Sequence, residues 1–493
     1  MIFLDLNQVW LYDAVHELVR MAFPGDDLTR QEGSQYDKKV SIYCEWSGGT
    51  ARVEIQVISK RGTSQAARDF DVNGSEAERL RQTKQWVRHL CYEILCDHAA
   101  RDINSYGILT GMRPVKLVQR MLDQGIDYGE VVQALQRDHL MQGQKAGLLL
   151  EVAQNNRPFL PKPQTSNRAI GLYIGIPFCP SRCIYCSFPG AVLSGRPGQM
   201  DEFLTALEYE IKTVGTSLKE LGYRVESIYL GGGTPAVLSV DQSERLFGLL
   251  NQQYISADTA EITVEAGRPD ALSRDKLQVY YRNGVDRICI NPQSMNDSTL
   301  QRIGRNHDRE GVVRAVDWVR DSGIKQINMD LIVGLPGEGI RENTHTAEEI
   351  LKLNPENITV HTLALKRGSS LFNSHDALTA VARVEEVEQG VELFAGILRG
   401  SGYQPYYLYR QKYMQASMEN IGYALPGNYC LYNIQMIEER QTILGLGGGG
   451  ASKFVDPWDW KLTSLYNPRD PNSYCRTVEI LTRRKVDKLR ALN

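Results

Sequence analysis

Cys179, Cys183 and Cys186 stand in the run Tyr173-Ile-Gly-Ile-Pro-Phe-Cys-Pro-Ser-Arg-Cys-Ile-Tyr-Cys-Ser-Phe188. The spacing, Cys-x3-Cys-x2-Cys, suits three thiolates on three corners of a cubane iron–sulfur cluster. A fully protein-ligated [4Fe–4S] cluster takes four cysteines, and no fourth lies nearby. One iron is then left open for a small molecule, as an open coordination position marks a catalytic metal site. Other readings fit less well. Structural zinc takes four Cys or His ligands, and no histidine lies between His139 and His307. Buried apolar thiols sit poorly with Pro180 and Arg182 in the same run, and a disulfide needs an oxidising compartment.

The elements that must hold these thiols follow from the pattern downstream of Ala169. Short β-rich runs at 170–176, 225–230, 260–266, 285–290, 325–333 and 357–364 alternate with helical stretches such as 200–221 and 308–321. Alternation of this kind argues for parallel βαβ units, and six of them make a partial barrel related to the eight-unit one. Chemistry is then expected at the carboxyl ends of the strands, and the polar motifs fall there. Tyr173 lies six residues before Cys179 and Tyr185 directly precedes Cys186, where an aromatic can cover a cluster or stack on a flat ring. Gly231-Gly232-Gly233-Thr234-Pro235 follows the second strand; glycines let a backbone approach a ligand closely, and its N–H groups are expected to meet a carboxylate. Glu265 ends the third strand with an acceptor for a ribose hydroxyl or an ammonium. Gln293 and Arg305 follow the fourth strand, Asp330 lies on the fifth, and the sixth carries His361-Thr-Leu-Ala364.

Taken together, Tyr-x-x-Ile-Pro-Phe-Cys-x3-Cys-x-Tyr-Cys, Gly-Gly-Gly-Thr-Pro, Gln-Ser-Met-Asn-Asp, Gly-Arg-Asn-His-Asp and Asp-Leu-Ile-Val-Gly-Leu-Pro-Gly resemble the radical S-adenosylmethionine (SAM) superfamily. Within it they are similar to the oxygen-independent coproporphyrinogen III oxidase family, over roughly 169–454. Gly107-Ile-Leu-Thr-Gly-Met-Arg-Pro, Tyr409-Arg-Gln-Lys-Tyr-Met and Gly445-Leu-Gly-Gly-Gly-Gly-Ala-Ser-Lys resemble its HemZ-type subgroup. The resemblance implies a (β/α)6 barrel, a [4Fe–4S] cluster on the three cysteines, and SAM on the open iron, cleaved reductively to a 5′-deoxyadenosyl radical. It carries SAM contacts onto Tyr173, Tyr185, Gly232, Gly233, Thr234, Glu265, Gln293, Arg305, Asp330 and Ala364, with Ala451 lining the same pocket. The implied reaction is oxidative decarboxylation of coproporphyrinogen III in heme biosynthesis, and the implied partners are an anionic tetrapyrrole and a low-potential electron donor such as flavodoxin or ferredoxin. Alternatives stay open: a radical SAM methyltransferase or other tetrapyrrole-modifying enzyme of the same branch, or a non-enzymatic heme-binding or trafficking protein. Two departures bear on the choice. Phe188 stands where the oxidase proper has a fourth cysteine, and Tyr432-Asn433-Ile-Gln-Met-Ile stands where the heme chaperones carry His-Asn-x-x-Tyr-Trp.

The remaining sequence bounds these readings. The chain of 493 residues has 42% hydrophobic and 23% charged residues, an ordinary globular composition. A net charge of −3 offers no basic footprint, so nucleic acid is not the expected partner. No signal-peptide pattern opens the chain, and no apolar run has the length of a membrane span. Six scattered cysteines and an oxygen-sensitive cluster suit a reducing cytoplasm. Three domains are expected: an α+β N-terminal accessory domain over 1–165, the barrel over 166–375, and a mixed, tyrosine-rich substrate-side region over 376–493. In the first, a short strand and a helix at 9–23 precede strands at 40–46 and 51–59 and a mostly helical stretch from 76 to 153; Arg157-Pro-Phe-Leu-Pro-Lys-Pro then reads as a stiff linker.

Overall fold

Ile170, Leu172, Ile174 and Ile176 alternate with small or aromatic residues between Asn167-Arg168 and Pro177, a pattern that packs a strand against helices on one face. The computed structural model describes residues 1–31, 35–162, 168–187, 191–193, 196–366, 368–373, 383–411 and 418–492, and places this strand, β1, over Ala169–Ile176. It is followed by β2 (Arg224–Gly232), β3 (Glu261–Glu265), β4 (Arg287–Cys289), β5 (Gln326–Val333) and β6 (Asn357–Thr362). Each pairs in parallel with the next. The returning helices are Gln199–Glu220, Val240–Gln253, Arg274–Arg282, Arg309–Ser322 and Ile340–Leu353, with Val384–Gly400 after β6. Their ends obey local chemistry. Asp308 caps the fourth of them through the Gly311 N–H at 2.8 Å, and Gly323, at φ 90°, ends it. The fold is the expected α/β arrangement of six β/α units, open because β1 and β6 do not pair.

Both open edges are extended by later chain. β7 (Gln404–Arg410) pairs antiparallel with β8 (Glu419–Ala424), which pairs antiparallel with β6. At the other edge β9 (Ile443–Gly447) runs parallel to β1, then turns through Gly448–Gly450 into β10 (Ala451–Val455) and β11 (Leu462–Tyr466). The helix Leu431–Glu438 connects the two edges, with Tyr432 stacked on Tyr229 at 4.6 Å between centroids and 6.1 Å from Tyr173. Its first turn is held by Glu261, which accepts from the Leu431 N–H at 3.3 Å and from the Cys430 thiol at 3.2 Å, and which pairs with the buried Arg287 at 3.1 Å. A carboxylate at a helix start complements the partial positive charge there.

Contacts divide the chain into two units, Met1–Leu150 and Glu151–Asn493. In the first, Ile2–Leu6, Lys38–Ser47, Thr50–Ser59 and Gly62–Asp71, with the two-residue Leu28–Thr29 at the edge, form a five-stranded sheet. The helices Leu11–Ala22 and Glu76–Ala99 bury Leu11, Val15, Leu18, Leu90 and Leu95 together with Val40, Ile42, Val53, Ile55 and Val57 of the sheet. Among the described residues no helix is long and apolar enough to cross a membrane.

One buried carboxylate ties the ends of the second unit together. Glu210 pairs with Lys485 of the terminal helix Pro471–Leu492, and accepts from Tyr474 Oη at 2.7 Å and the Gly447 N–H at 2.8 Å. Both charged side chains are fully buried. Lys485→Met leaves that carboxylate without its cation, and the expected cost in urea unfolding is about 3–5 kcal/mol. Adding Glu210→Gln to the same chain is expected to recover most of the loss.

Candidate functional site

Pro177 ends β1, and the chain enters the cysteine loop directly. Phe178–Cys179 pairs with Ala191–Val192, the Leu193 N–H donates to the Cys179 carbonyl at 3.0 Å, and the Cys186 N–H donates to the Cys183 carbonyl at 3.1 Å. Ile184 fastens the far side: its N–H donates to Ile303 O at 3.1 Å and its carbonyl accepts from Leu371 at 2.8 Å. None of the three thiols is in a disulfide; Cys183 is buried and the others are half-buried. Burial, then the neighbouring Cys186, pushes the Cys179 thiol up to about 12.

The glycine loop lies against the start of the cysteine loop, and there the structure differs from expectation. The Gly233 N–H donates to Ile176 O at 2.8 Å and the Thr234 N–H to Phe178 O at 2.9 Å, while the Gly232 N–H faces the Glu265 carboxylate. These N–H groups are therefore engaged within the protein rather than presented to a ligand's carboxylate. Glycine is required for another reason: a Cβ at Gly233 would stand 2.2 Å from Phe178 O, and Gly232 has φ 112°. Thr234 is buried, its hydroxyl donating to the Glu265 carbonyl at 3.1 Å.

Glu265, Asp330, Tyr173 and Gly231 share one face of the sheet. Tyr173 is in register with Tyr229, their rings 6.2 Å apart, and Gly231 lies against Glu265 and both tyrosines. Burial and the nearby Asp330 raise the Glu265 carboxyl to about 8, with the Gly232 N–H and Arg305 compensating only in part. Asp330 goes the other way. Burial raises it, but hydrogen bonds from His361 and Asn328 prevail and hold it below the usual range. His361 Nε2 lies 3.7 Å from Asp330, and its Nδ1 lies 3.2 Å from the Tyr409 hydroxyl. Gln293 is fixed beside Asp330 by a backbone bridge, its N–H donating to Asp330 O at 2.9 Å, and it adopts φ 69°. A non-glycine residue in that region carries strain of about 1–2 kcal/mol, the kind of cost that clusters at ligand sites.

Two arginines bind this face to the cysteine loop. Arg305 is buried; its guanidinium donates to Gly267 O at 2.7 Å, Asn291 O at 3.1 Å and the Tyr185 hydroxyl at 2.8 Å, which draws Tyr185 into the site. Arg268, absent from the expected set, donates to the Ser181 carbonyl at 3.1 Å and hydroxyl at 2.9 Å and approaches Cys183 Sγ at 3.9 Å. Its sequence signal was slight, since Gly267-Arg268-Pro269 reads as a turn. Behind Asp270, the covered His307 side chain borders a cavity of about 460 Å³, and burial, then Arg305, lowers its imidazole to about 4. Ala364 is half-buried just beyond β6. Ala451 opens β10 against Gly445, which is in register with Tyr173, so it lies one strand from the tyrosine. Phe188, Lys412 and Tyr413 lie outside the described residues.

The donor set fits a cluster with SAM on its open corner. Among the described residues no three Cys, His, Asp or Glu side chains are gathered to chelate a single ion; in a cubane each thiolate takes its own iron, so wider spacing suits it. Beside the loop, Arg305 Nε, Asn291 Oδ1 and Asn328 Oδ1 are buried without a protein partner. Burial, then Asp330, favours the protonated form of Glu265, with Arg305 compensating only in part. Orphaned donors and acceptors of this kind match a ligand that brings an ammonium and hydroxyls.

Comparisons with known proteins agree with this chemistry. A model of the radical SAM superfamily matches residues 173–350. The chain is 38% identical over 467 residues to the oxygen-independent coproporphyrinogen-III oxidase-like protein HemZ of Bacillus subtilis, covering 94% of this chain and 91% of that protein. It is 29% identical over 325 residues to the heme chaperone HemW of Escherichia coli, 64% of this chain and 79% of the relative. Among solved structures, coproporphyrinogen III oxidase (HemN) from Escherichia coli, a radical SAM enzyme, shares the fold with TM-score 0.52 and 23% identity, over 69% of this chain and 73% of that one.

Proposed function

Because this chain belongs to the HemN/HemZ family of radical SAM proteins and so takes a [4Fe–4S] cluster and SAM, we propose that it catalyses oxygen-independent oxidative decarboxylation of coproporphyrinogen III to protoporphyrinogen IX. The observation that carries the reading is the gathering of the cysteine loop, Glu265, Arg305 and Asp330 at the carboxyl ends of β1 to β5, over a face lined with tyrosines. When bound, the cluster and SAM supply the homolysis and hydrogen abstraction that a propionate-to-vinyl conversion needs.

Cys179, Cys183 and Cys186 would hold the cluster. Glu265 and Asp330 would accept from the ammonium and hydroxyls of SAM, and Arg305, through its remaining N–H, would orient the ligand while fixing Tyr185. Gln293, Tyr173, the backbone of Gly232 to Thr234, and Ala364 would border it, with Ala451 behind. Tyr173, Tyr229 and Tyr432 stack in the interior and exclude water from it. A tetracarboxylate substrate would be drawn by cations near the loop. Lys366, within electrostatic reach of Arg469 and Cys186, would be one of them, although burial, then Arg469, disfavours its charge. The electron would come from a low-potential carrier such as flavodoxin or ferredoxin. Residues 1–165 would act as an accessory domain and those beyond 375 on the substrate side.

The test is anaerobic incubation of reconstituted protein with coproporphyrinogen III, SAM and dithionite, followed by mass analysis. Loss of two carboxyl groups with formation of two vinyl groups is expected. Intact substrate alongside accumulating 5′-deoxyadenosine would overturn the oxidase reading. Phe188 in the fourth-cysteine position favours a second reading, radical modification of another tetrapyrrole, which a methylated or otherwise altered product would support.

A further inference from the structure

Arg268 is a buried cation with its planar fork occupied on both sides. On one side it makes a bidentate pair with Asp270, in the turn Pro269–Ala271 that follows it, both N···O distances 2.9 Å. Toward the cysteine loop it grips Ser181 twice and reaches Cys183 Sγ at 3.9 Å. Only 5% of its side chain is exposed. A guanidinium held by two paired carboxylate bonds cannot swing away, so its charge and its donors stay fixed on the loop. Asp270 is in turn bordered by His307, whose Nδ1 lies 4.0 Å away.

We infer that Arg268 is a positioning residue for the cluster: it fixes Ser181 to Cys183 and places a positive charge and an N–H donor at the Cys183 thiolate, which makes one-electron reduction easier. Reduction adds a negative charge to a centre already surrounded by thiolates, and hydrogen bonds to cluster sulfurs and nearby charge set such potentials. In a buried setting the effect of one fixed cation is larger than at the surface. The inference rests on the cluster site, and not on which substrate the protein turns over.

The experiment compares the anaerobically reconstituted full chain with Arg268→Gln and Arg268→Lys, measuring iron and sulfide content and the midpoint potential by redox titration, without substrate. Arg268→Gln is expected to keep its iron and sulfide but to shift to a more negative potential, so that dithionite reduces a smaller fraction. Arg268→Lys, which keeps the charge but not the fork, is expected to fall between that variant and the parent. Equal potentials in all three proteins, or a positive shift in the glutamine variant, would overturn the assignment. Should the glutamine variant hold no cluster, the lysine variant decides alone: a more negative potential supports the role, and a parent-like potential refutes it. A parent that takes no cluster sinks both this inference and the functional reading, whereas a parent with a cluster but inert toward coproporphyrinogen III sinks only the latter.

Discussion

Cys183→Ala is expected to remove the iron–sulfur chromophore and to bring 5′-deoxyadenosine formation below detection. Cys183 is the buried member of the three thiols and the one that Arg268 faces. Two remaining thiolates leave two corners of a cubane without protein ligands, and no described histidine or carboxylate stands ready as a third member of a chelating group. The neighbouring backbone does not depend on that thiol: Ile184 stays fastened to Ile303 and Leu371. The variant should therefore fold and fail in chemistry alone. Cys91→Ala, in the core of the N-terminal unit, is the matched control. It is expected to lose stability, by up to a few kcal/mol for a buried side chain made smaller, while retaining iron. Anaerobic reconstitution with iron and sulfide assay, then SAM cleavage with dithionite, separates the two. Iron retained by Cys183→Ala at the parental level would remove the basis of the whole scheme.

What the sequence could and could not convey follows from how local each signal is. The six barrel strands are legible because runs such as Ile327-Asn-Met-Asp-Leu-Ile-Val333 are β-rich and bounded by turn residues, and the thiols are legible because a single loop carries all three. The hairpin strand Gly62–Asp71 is not. Its Ala, Arg, Gln and Asp content has little β-propensity, and it exists because the preceding strand offers a full ladder across Ser59–Gly62. β9 is hidden in the same way: Ile443-Leu-Gly-Leu-Gly447 resembles a turn, but glycines are what let it close on β1, since a Cβ at Gly175 would meet Gly448 O at 2.3 Å. In the sequence Tyr432-Asn433 stands out only for the motif it lacks, whereas its helix has a positive role, capped by Glu261 and stacked against Tyr229. Glu265 is legible as a candidate because it ends its strand, and Asp330 because it is a lone carboxylate inside an apolar one. Arg268 escaped because its meaning lies in Ser181 and Cys183, 87 and 85 residues away.

Glu265→Gln is expected to stabilise the cluster-free protein in alkaline buffer while weakening SAM binding. The carboxyl titrates near 4.5 when exposed and near 8 in the fold, because burial and Asp330 both oppose its charge. The folded state therefore holds a proton that the unfolded chain has released, and stability falls as pH rises from about 4.5 to about 8, levelling off above that. The two values set a ceiling of roughly 5 kcal/mol, and because the side chain is partly open to the interior, water lowers the observable effect to a few kcal/mol at most. Glutamine has no charge to oppose, so urea unfolding of the variant should lose this slope and match the parent only in acid. Ligand binding should move oppositely. An ammonium placed beside Glu265 would favour the charged form, so the parent should bind SAM more tightly as pH approaches 8, releasing the proton as it does. Loss of one charge-assisted hydrogen bond is worth about 1.5–3 kcal/mol, so titration calorimetry of the anaerobically reconstituted protein at pH 8 should show affinity about 10- to 100-fold weaker in Glu265→Gln, and nearly independent of pH. A variant that binds SAM as tightly as the parent at pH 8 would take Glu265 out of the ligand site, and the elevated carboxyl would then be a feature of the barrel interior alone.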